Sequence, residues 1–104
     1  MHKNFRSYQM ALSLYKTLNK LGCNNAIETD QLKRASLSIV LNLAEGSGKR
    51  TQKDRRRFFQ MAFGSLREVQ ALLEILQETP LEKQADQLAA ALWRLCQRPG
   101  SLPP

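Results

Sequence analysis

The chain has 104 residues, of which 42% are hydrophobic and 24% charged, and its formal net charge is +7. This length allows one domain, residues 1–104, and the composition is that of a globular protein and not of a disordered one. No stretch approaches the roughly 20 apolar residues that cross a bilayer, no hydrophobic signal core is present, and two cysteines are too few for a disulfide framework, so we expect a cytoplasmic protein with free thiols.

The first two predicted elements are amphipathic helices over residues 5–21 and 29–45. In the first, apolar side chains recur at three- and four-residue steps, at Phe5, Tyr8, Leu12, Tyr15, Leu18 and Leu21. Gly22 is expected to end this helix, and Thr29 or Asp30 to cap the next one. The second helix has the inner face Leu32, Ala35, Ile39 and Leu43.

Two further helices are predicted over residues 52–79 and 80–97, followed by a tail at 98–104. Thr51 and Asp54 resemble a capping box at the start of the third, and Thr79 and Pro80 suit the start of the fourth. The inner face of the third reads Phe58, Ala62, Ser65, Val69, Leu72 and Leu76. That of the fourth reads Leu81, Ala85, Leu88, Leu92 and Leu95.

Four helices with short connections predict an all-α protein, an antiparallel up-down-up-down four-helix bundle. In this topology one end collects ten cations: Lys3, Arg6, Lys49, Arg50, Lys53, Arg55, Arg56, Arg57, Arg94 and Arg98. The other end collects six acids: Glu28, Asp30, Glu74, Glu78, Glu82 and Asp86. The bundle is therefore expected to be electrostatically polar from end to end.

The densest run of charge covers residues 49–57, with six cations and one anion. A solvated helix start is one interpretation, but a helix dipole disfavours cations in the first turn, and this points to an anionic partner. With Phe58 inward, an outer stripe of the third helix carries Lys53, Arg56, Gln60 and Arg67, and this spacing would follow a phosphate backbone. The nucleic-acid-binding candidates are Lys49, Arg50, Lys53, Arg55, Arg56, Arg57 and Arg67. Binding through phosphates with little base readout is expected, because no exposed aromatic platform is evident among these cations.

Few residues suit catalysis, so we expect no enzymatic activity, no cofactor and no metal. The single histidine is His2, near the terminus. The run from Gly46 to Lys49 lacks the remaining residues of a phosphate-binding loop and no strand precedes it. Glu45 and Glu68 could be paired carboxylates, but hydrogen bonding to Asn42 and Arg34 is the preferred interpretation.

The third helix carries more apolar surface than one core requires. With Phe58 inward, the side chains of Phe59, Phe63 and Leu66 fall on an outer flank, beside Gly64. A glycine within a helix lets another backbone approach closely. These three residues are therefore predicted to form a homo-oligomer interface.

Residues 34–68 resemble the family of proteins encoded by intervening sequences in 23S ribosomal RNA genes. The matching residues are Arg34, Ala35, Ser36, Ser38, Ile39, the run Asn42-Leu43-Ala44-Glu45-Gly46, then Asp54, Arg57, Phe58, Phe59, Ala62, Gly64, Ser65 and Glu68. That family includes accessory proteins of diversity-generating retroelements, which form pentameric barrels and associate with nucleic acid and a reverse transcriptase. The resemblance implies a bacterial, cytoplasmic bundle, a ring-shaped homo-oligomer, most simply a pentamer, and nucleic-acid binding, with a reverse transcriptase as a partner suggested by one branch.

The leading functional hypothesis is a non-catalytic, oligomeric nucleic-acid-binding or scaffold protein that binds RNA or DNA through its basic end. The alternative is a protein-interaction module that pairs its cations with an acidic protein. An accessory subunit that completes the active site of another protein is a third hypothesis. The sequence does not indicate which nucleic acid is bound.

Overall fold

The computed structural model describes residues 5–21 and 26–99, and these form four α-helices. The helices are α1 (Arg6–Asn19), α2 (Ala26–Ser47), α3 (Gln52–Leu76) and α4 (Thr79–Gln97). Each helix packs against its neighbour in the chain, and α4 also contacts α1. The bundle measures 43 Å by 19 Å by 19 Å. The predicted all-α four-helix bundle is therefore confirmed.

The second helix begins three residues before the predicted position, and the fourth begins one residue before it. The second helix begins at Ala26, so Thr29 lies inside it, and the buried hydroxyl of Thr29 has no hydrogen-bond partner among the described residues. The fourth begins at Thr79 with Glu78 as its N-cap and Pro80 in the first turn. The predicted caps, Thr29 or Asp30 for α2 and Thr79 for α4, are therefore wrong. The predicted stop at Gly22 lies outside the described residues, as do Lys3 and Cys23.

Both ends of α3 are closed by local hydrogen bonds. At its start the Thr51 hydroxyl accepts from the Asp54 backbone N–H at 3.1 Å, as the capping pattern predicts. At its end Gln77 adopts the left-handed conformation with φ 58°, and the Glu78 N–H donates to the Leu73 carbonyl. This is a Schellman closure made without the usual glycine, and it ends the helix three residues before the predicted position.

The core confirms the predicted inner faces of α2 and α4 and corrects that of α3. All nine residues predicted to face inward on α2 and α4 are buried. On α3, Phe59 and Leu66 are fully buried, whereas Phe58 is half-buried. Ala62, Val69 and Leu72 are buried as predicted, so the centre of the buried face is turned by roughly 40° from the predicted orientation. None of the described helices is long and apolar enough to span a membrane.

This orientation overturns the predicted oligomer interface on α3. Phe59 and Leu66 have no exposed surface, because they fill the core of their own chain. Phe63 is half-buried against the same core, and the Arg67 guanidinium lies 5.4 Å from the centre of its ring. An exposed flank built from all three side chains therefore does not exist, because Phe59 and Leu66 cannot contact another copy of the chain.

Candidate nucleic-acid interface

Two contacts bring helix ends together at the basic side of the bundle. The rings of Phe5 and Phe59 lie 6.0 Å apart, which places the start of α1 beside the start of α3. Arg56 Nε donates to the Cys96 carbonyl at 3.0 Å and ties α3 to the last turn of α4. We call this the basic end; its described cations are Arg6, Lys49, Arg50, Lys53, Arg55, Arg56, Arg57, Arg94 and Arg98.

Two of these cations have structural roles. Arg55 Nε donates to the Lys49 carbonyl at 2.7 Å, just after α2, and Arg56 Nε donates to the Cys96 carbonyl near the end of α4. Carbonyls near a helix C-terminus lack partners within the helix, and cationic side chains satisfy them well. The placement of Arg55 and Arg56 in the first turns of α3 is therefore explained by these bonds, without an anionic partner.

The other predicted cations of this segment project to the surface to different degrees. The Lys49 ammonium pairs with the Glu45 carboxylate at 3.2 Å and lies 5.1 Å from the centre of the Phe58 ring. Arg57 lies 5.0 Å from the centre of the same ring and is exposed. Arg50 and Lys53 are also exposed. Charge available to a partner is therefore concentrated on Arg50, Lys53 and Arg57.

A shallow recess of about 480 Å³ runs along the start of α3. Its lining is Lys53, Asp54, Arg56, Arg57 and Gln60. The predicted outer stripe is thus partly formed, because Lys53, Arg56 and Gln60 lie on one side of the helix. The recess is open and is lined by charged and polar residues, so it suits a surface anion rather than an enclosed ligand.

Arg67 is separate from this recess. It lies ten residues beyond Arg57, about 15 Å further along α3. Its guanidinium covers the Phe63 ring and is 3.5 Å from Gln70 Oε1, while the Gln70 amide nitrogen donates to Asp86 at 2.8 Å. The structure therefore groups Arg67 with polar residues of the bundle's middle and not with the basic end.

A groove between α1 and α4 extends the basic end, and the sequence reasoning missed it. This groove of about 700 Å³ carries Arg6, Arg94 and Arg98 together with small side chains such as Ser7 and Ala91. Among residues 5–21 and 26–99, no acidic residue lines this groove. The spacing of Arg94 and Arg98, one helical turn apart, indicates that both lie on one side of α4. It does not indicate that α1 lies opposite them, because this depends on how the helices pack.

The motif residues of α2 and α3 fall into a buried or half-buried group between the helices and an exposed group. The hydroxyls of Ser38 and Ser65 are 2.9 Å apart and join the two helices, and Asn42 Nδ2 donates to the Ser38 carbonyl and hydroxyl at 2.9 and 3.1 Å. Gly46 is buried against Phe59. Arg34, Glu45, Gly64 and Glu68 are exposed.

The predicted pairing of Glu45 and Glu68 with Asn42 and Arg34 is therefore wrong. Glu45 pairs with Lys49 one turn ahead, and Asn42 bonds to Ser38. Arg34 and Glu68 make no ion pair with any residue in 5–21 or 26–99.

The model of one family, described as 23S rRNA-intervening sequence protein, matches residues 4–97. This match covers all four helices. The chain belongs to the 23S rRNA-intervening sequence protein family. No curated protein matches it significantly. The family assignment confirms the resemblance seen in α2 and α3, and the match extends to α1 and α4, beyond the motif itself.

In this member of the family, Cys96 is a free thiol at the junction of α3 and α4. Burial raises the pKa of the Cys96 thiol above its ordinary value of 9.0, and the nearby Arg56 opposes the rise. In the described part of the chain, no three His, Cys, Asp or Glu residues lie close enough together to hold a metal ion.

Proposed function

We propose that this 23S rRNA-intervening sequence family protein is a non-catalytic, oligomeric scaffold that binds nucleic acid through phosphates at its basic end. The observation that carries the proposal is the convergence of cations from separate helices on one end of a narrow bundle. Arg6 from α1, Lys53 and Arg57 from α3, and Arg94 from α4 meet there. Such a field attracts a polyanion and raises its local concentration.

The dimensions of this end favour a phosphate backbone. A surface 19 Å wide spans about five phosphates of one strand, at roughly 3.4 Å of helix axis per phosphate. The exposed cations are spread across this width and are not focused on one point, and the recesses beside them are open. Spread cations on an open surface suit a long polyanion better than a single small ligand.

Self-association is the second part of the proposal, and the exposed outer side of α2 and α3 supports it. Leu41 is 58% exposed and Met61 50% exposed. Leu41 follows Ser38 by three residues and Met61 precedes Ser65 by four, so both side chains lie next to the hydroxyl contact that joins the helices. Exposed apolar side chains beside exposed charges are typical of interaction surfaces.

The same face carries one free charge of each sign. Arg34 precedes Ser38 by four residues and Glu68 follows Ser65 by three, so each lies on this side of the bundle. We call Arg34, Leu41, Met61, Gly64 and Glu68 the outer α2–α3 face. Its mixture of charge and apolar surface suits a second copy of the chain, and repetition around a ring, most simply a pentamer, would multiply the basic ends and raise avidity. A reverse transcriptase as a further partner remains a proposal from the family resemblance alone.

The test is the salt dependence of binding to short DNA and RNA. We expect the protein to neutralise about four to six phosphates. The logarithm of the association constant for duplex DNA should then fall linearly with the logarithm of the salt concentration, with a slope of about −0.9 for each phosphate contact. Replacing Lys53, Arg57 and Arg94 together by Gln should weaken binding to unrelated sequences alike and flatten the slope by about two to three units.

The matched control replaces Lys16, Lys20 and Lys83 by Gln. This variant also loses three positive charges, but from exposed positions away from the basic end. We expect it to bind nearly as the wild type does. Equal losses in both variants would mean that net charge alone governs binding, and absence of binding at low salt would favour an acidic protein as the partner.

A further inference from the structure

Trp93 projects from α4 at the basic end. Its side chain is 58% exposed, while the other six aromatic side chains of the chain are buried or half-buried. The helix turns inward through Leu88, Leu92 and Leu95, so the residue next to Leu92 is directed outward. A large, flat, apolar ring therefore remains in solvent on an otherwise polar surface.

The surroundings of this ring are cationic. Trp93 borders an open recess of about 590 Å³ together with Arg94, Gln97 and Arg98. Arg94 also lines the groove toward α1, and Cys96, three residues after Trp93, accepts the bond from Arg56 of α3. The ring thus stands between the cations of α1 and α4 on one side and those of α3 on the other.

The face of the Trp93 ring is available, unlike other aromatic faces nearby. Lys49 and Arg57 lie over the Phe58 ring, and Arg67 lies over the Phe63 ring. Among the described residues, no cation lies over the Trp93 ring. An uncovered aromatic face between arginines is the arrangement that stacks an unpaired base while cations hold the adjacent phosphates.

We propose that Trp93 is a stacking platform for an unpaired base, so that the basic end binds single-stranded nucleic acid in preference to duplex. This inference rests on the proposed function and narrows it. The bases of a duplex are stacked on each other and cannot reach the ring, whereas every unpaired base offers a flat face. It also revises the expectation of purely phosphate contacts, because the fold brings an aromatic platform to the cations.

The experiment uses the fact that Trp93 is the single tryptophan of the chain. Its fluorescence is followed while a short mixed-sequence oligonucleotide is added to the full protein, as single-stranded DNA, as single-stranded RNA and as DNA duplex. Stacking should quench the emission with the single strands and leave it nearly unchanged with the duplex. The DNA and RNA arms then show which strand binds more tightly.

Variants separate stacking from charge. Trp93→Ala should weaken single-strand binding about tenfold and leave duplex binding within about twofold, while Trp93→Phe should retain most of the affinity. Ile75→Ala, at a residue 66% exposed and far from the basic end, is the matched control and should bind normally.

Each adverse outcome has its own meaning. The protein could bind through the basic end in a salt-dependent way but show no fluorescence quenching and no effect of Trp93→Ala. This result would overturn the stacking role of Trp93 and would still support the proposed function. Absence of binding to every oligonucleotide would overturn both. A change in oligomeric state caused by Trp93→Ala would assign the ring to a protein contact and overturn the inference.

Discussion

Gly46, near the end of α2, lies directly against the ring of Phe59 on α3. A Cβ atom at this glycine would stand 2.6 Å from Phe59 Cε1 and 3.0 Å from Phe58 Cβ. The Phe59 ring is fully buried and cannot simply move aside. The glycine is therefore required for the close approach of the two helices, and not for an unusual backbone conformation, because its φ is not positive.

Gly46→Ala is accordingly expected to destabilise the fold. Overpacking of this kind costs about 1–3 kcal/mol, and alanine's higher helix propensity returns up to about 1 kcal/mol. The net loss of about 1–2 kcal/mol should lower the melting temperature by roughly 4–16 °C. The melting temperature is measured by thermal unfolding, monitored by circular dichroism at a fixed protein concentration.

Gly64→Ala is the matched control for that change. Gly64 also lies within a helix, but no atom stands within 4 Å of the position that its Cβ would occupy. The substitution should therefore stabilise the monomer by about 0.5–1 kcal/mol. Both variants are compared at protein concentrations at which they are monomeric, and equal destabilisation of the monomer by both alanines would show that the Phe59 contact is not the cause.

Hydrophobic periodicity alone predicts the orientation of α4 but not that of α3. On α4 the apolar positions form one clear stripe, and all five residues predicted from Leu81 to Leu95 are buried. On α3 either of the adjacent residues Phe58 and Phe59 can face inward while Ala62, Val69 and Leu72 stay buried, and the two orientations differ by roughly 40°. Heptad-like spacing favoured Phe58, but the space left by Gly46 admits Phe59.

The candidate site was only partly predictable for a similar reason. The position of the cations at one end follows from helix number and direction alone. Whether a cation is exposed depends on tertiary hydrogen bonds, such as that from Arg56 to Cys96, 40 residues away. Trp93 was overlooked as a surface feature because a single aromatic residue beside an apolar stripe is usually part of the core.

Arg56→Gln should destabilise the junction of α3 and α4. The variant loses a charged donor to a carbonyl near the end of α4, at a cost of about 1 kcal/mol. Lys53→Gln, one turn earlier and exposed, should stay within about 0.5 kcal/mol of the wild type. Urea unfolding of the two variants would contradict this assignment if their midpoints shifted equally.

The reactivity of Cys96 should also depend on Arg56. Burial raises the pKa of this thiol and the positive charge of Arg56 lowers it, so removal of that charge should raise the pKa further. Because the thiolate is the reactive form, the pH profile of alkylation should move to higher pH in Arg56→Gln. The measurement needs a Cys23→Ser background, so that Cys96 is the sole thiol. A shift to lower pH would mean that loss of the Arg56 bond exposes the thiol.

The raised pKa has a consequence for stability. The native state holds the thiol proton more tightly than the unfolded state, so this group stabilises the fold fully below pH 9.0, and the contribution declines as the pH rises through that value and above it. Cys96→Ser should therefore lose less stability than the wild type between neutral and alkaline pH. Urea unfolding at neutral and at alkaline pH measures how much stability each protein loses. Equal losses in the wild type and in Cys96→Ser would contradict the raised pKa of Cys96.

The last prediction concerns self-association through the outer α2–α3 face. Leu41→Glu should dissociate the assembly and leave the monomer helical, because the side chain is 58% exposed and a buried, unpaired carboxylate between copies would be costly. Trp93→Ala is the control, since Trp93 is equally exposed but lies on α4, which packs against α1 and α3 and stands diagonally from α2. Light scattering over a range of concentrations measures the mass of the wild type and of each variant.

Gly64→Ala adds a second test, because the same methyl group that stabilises the isolated helix would obstruct a neighbouring copy that packs closely there. A wild type that is monomeric at micromolar concentration, or a Leu41→Glu variant as large as the wild type, would show that this face does not join copies of the chain.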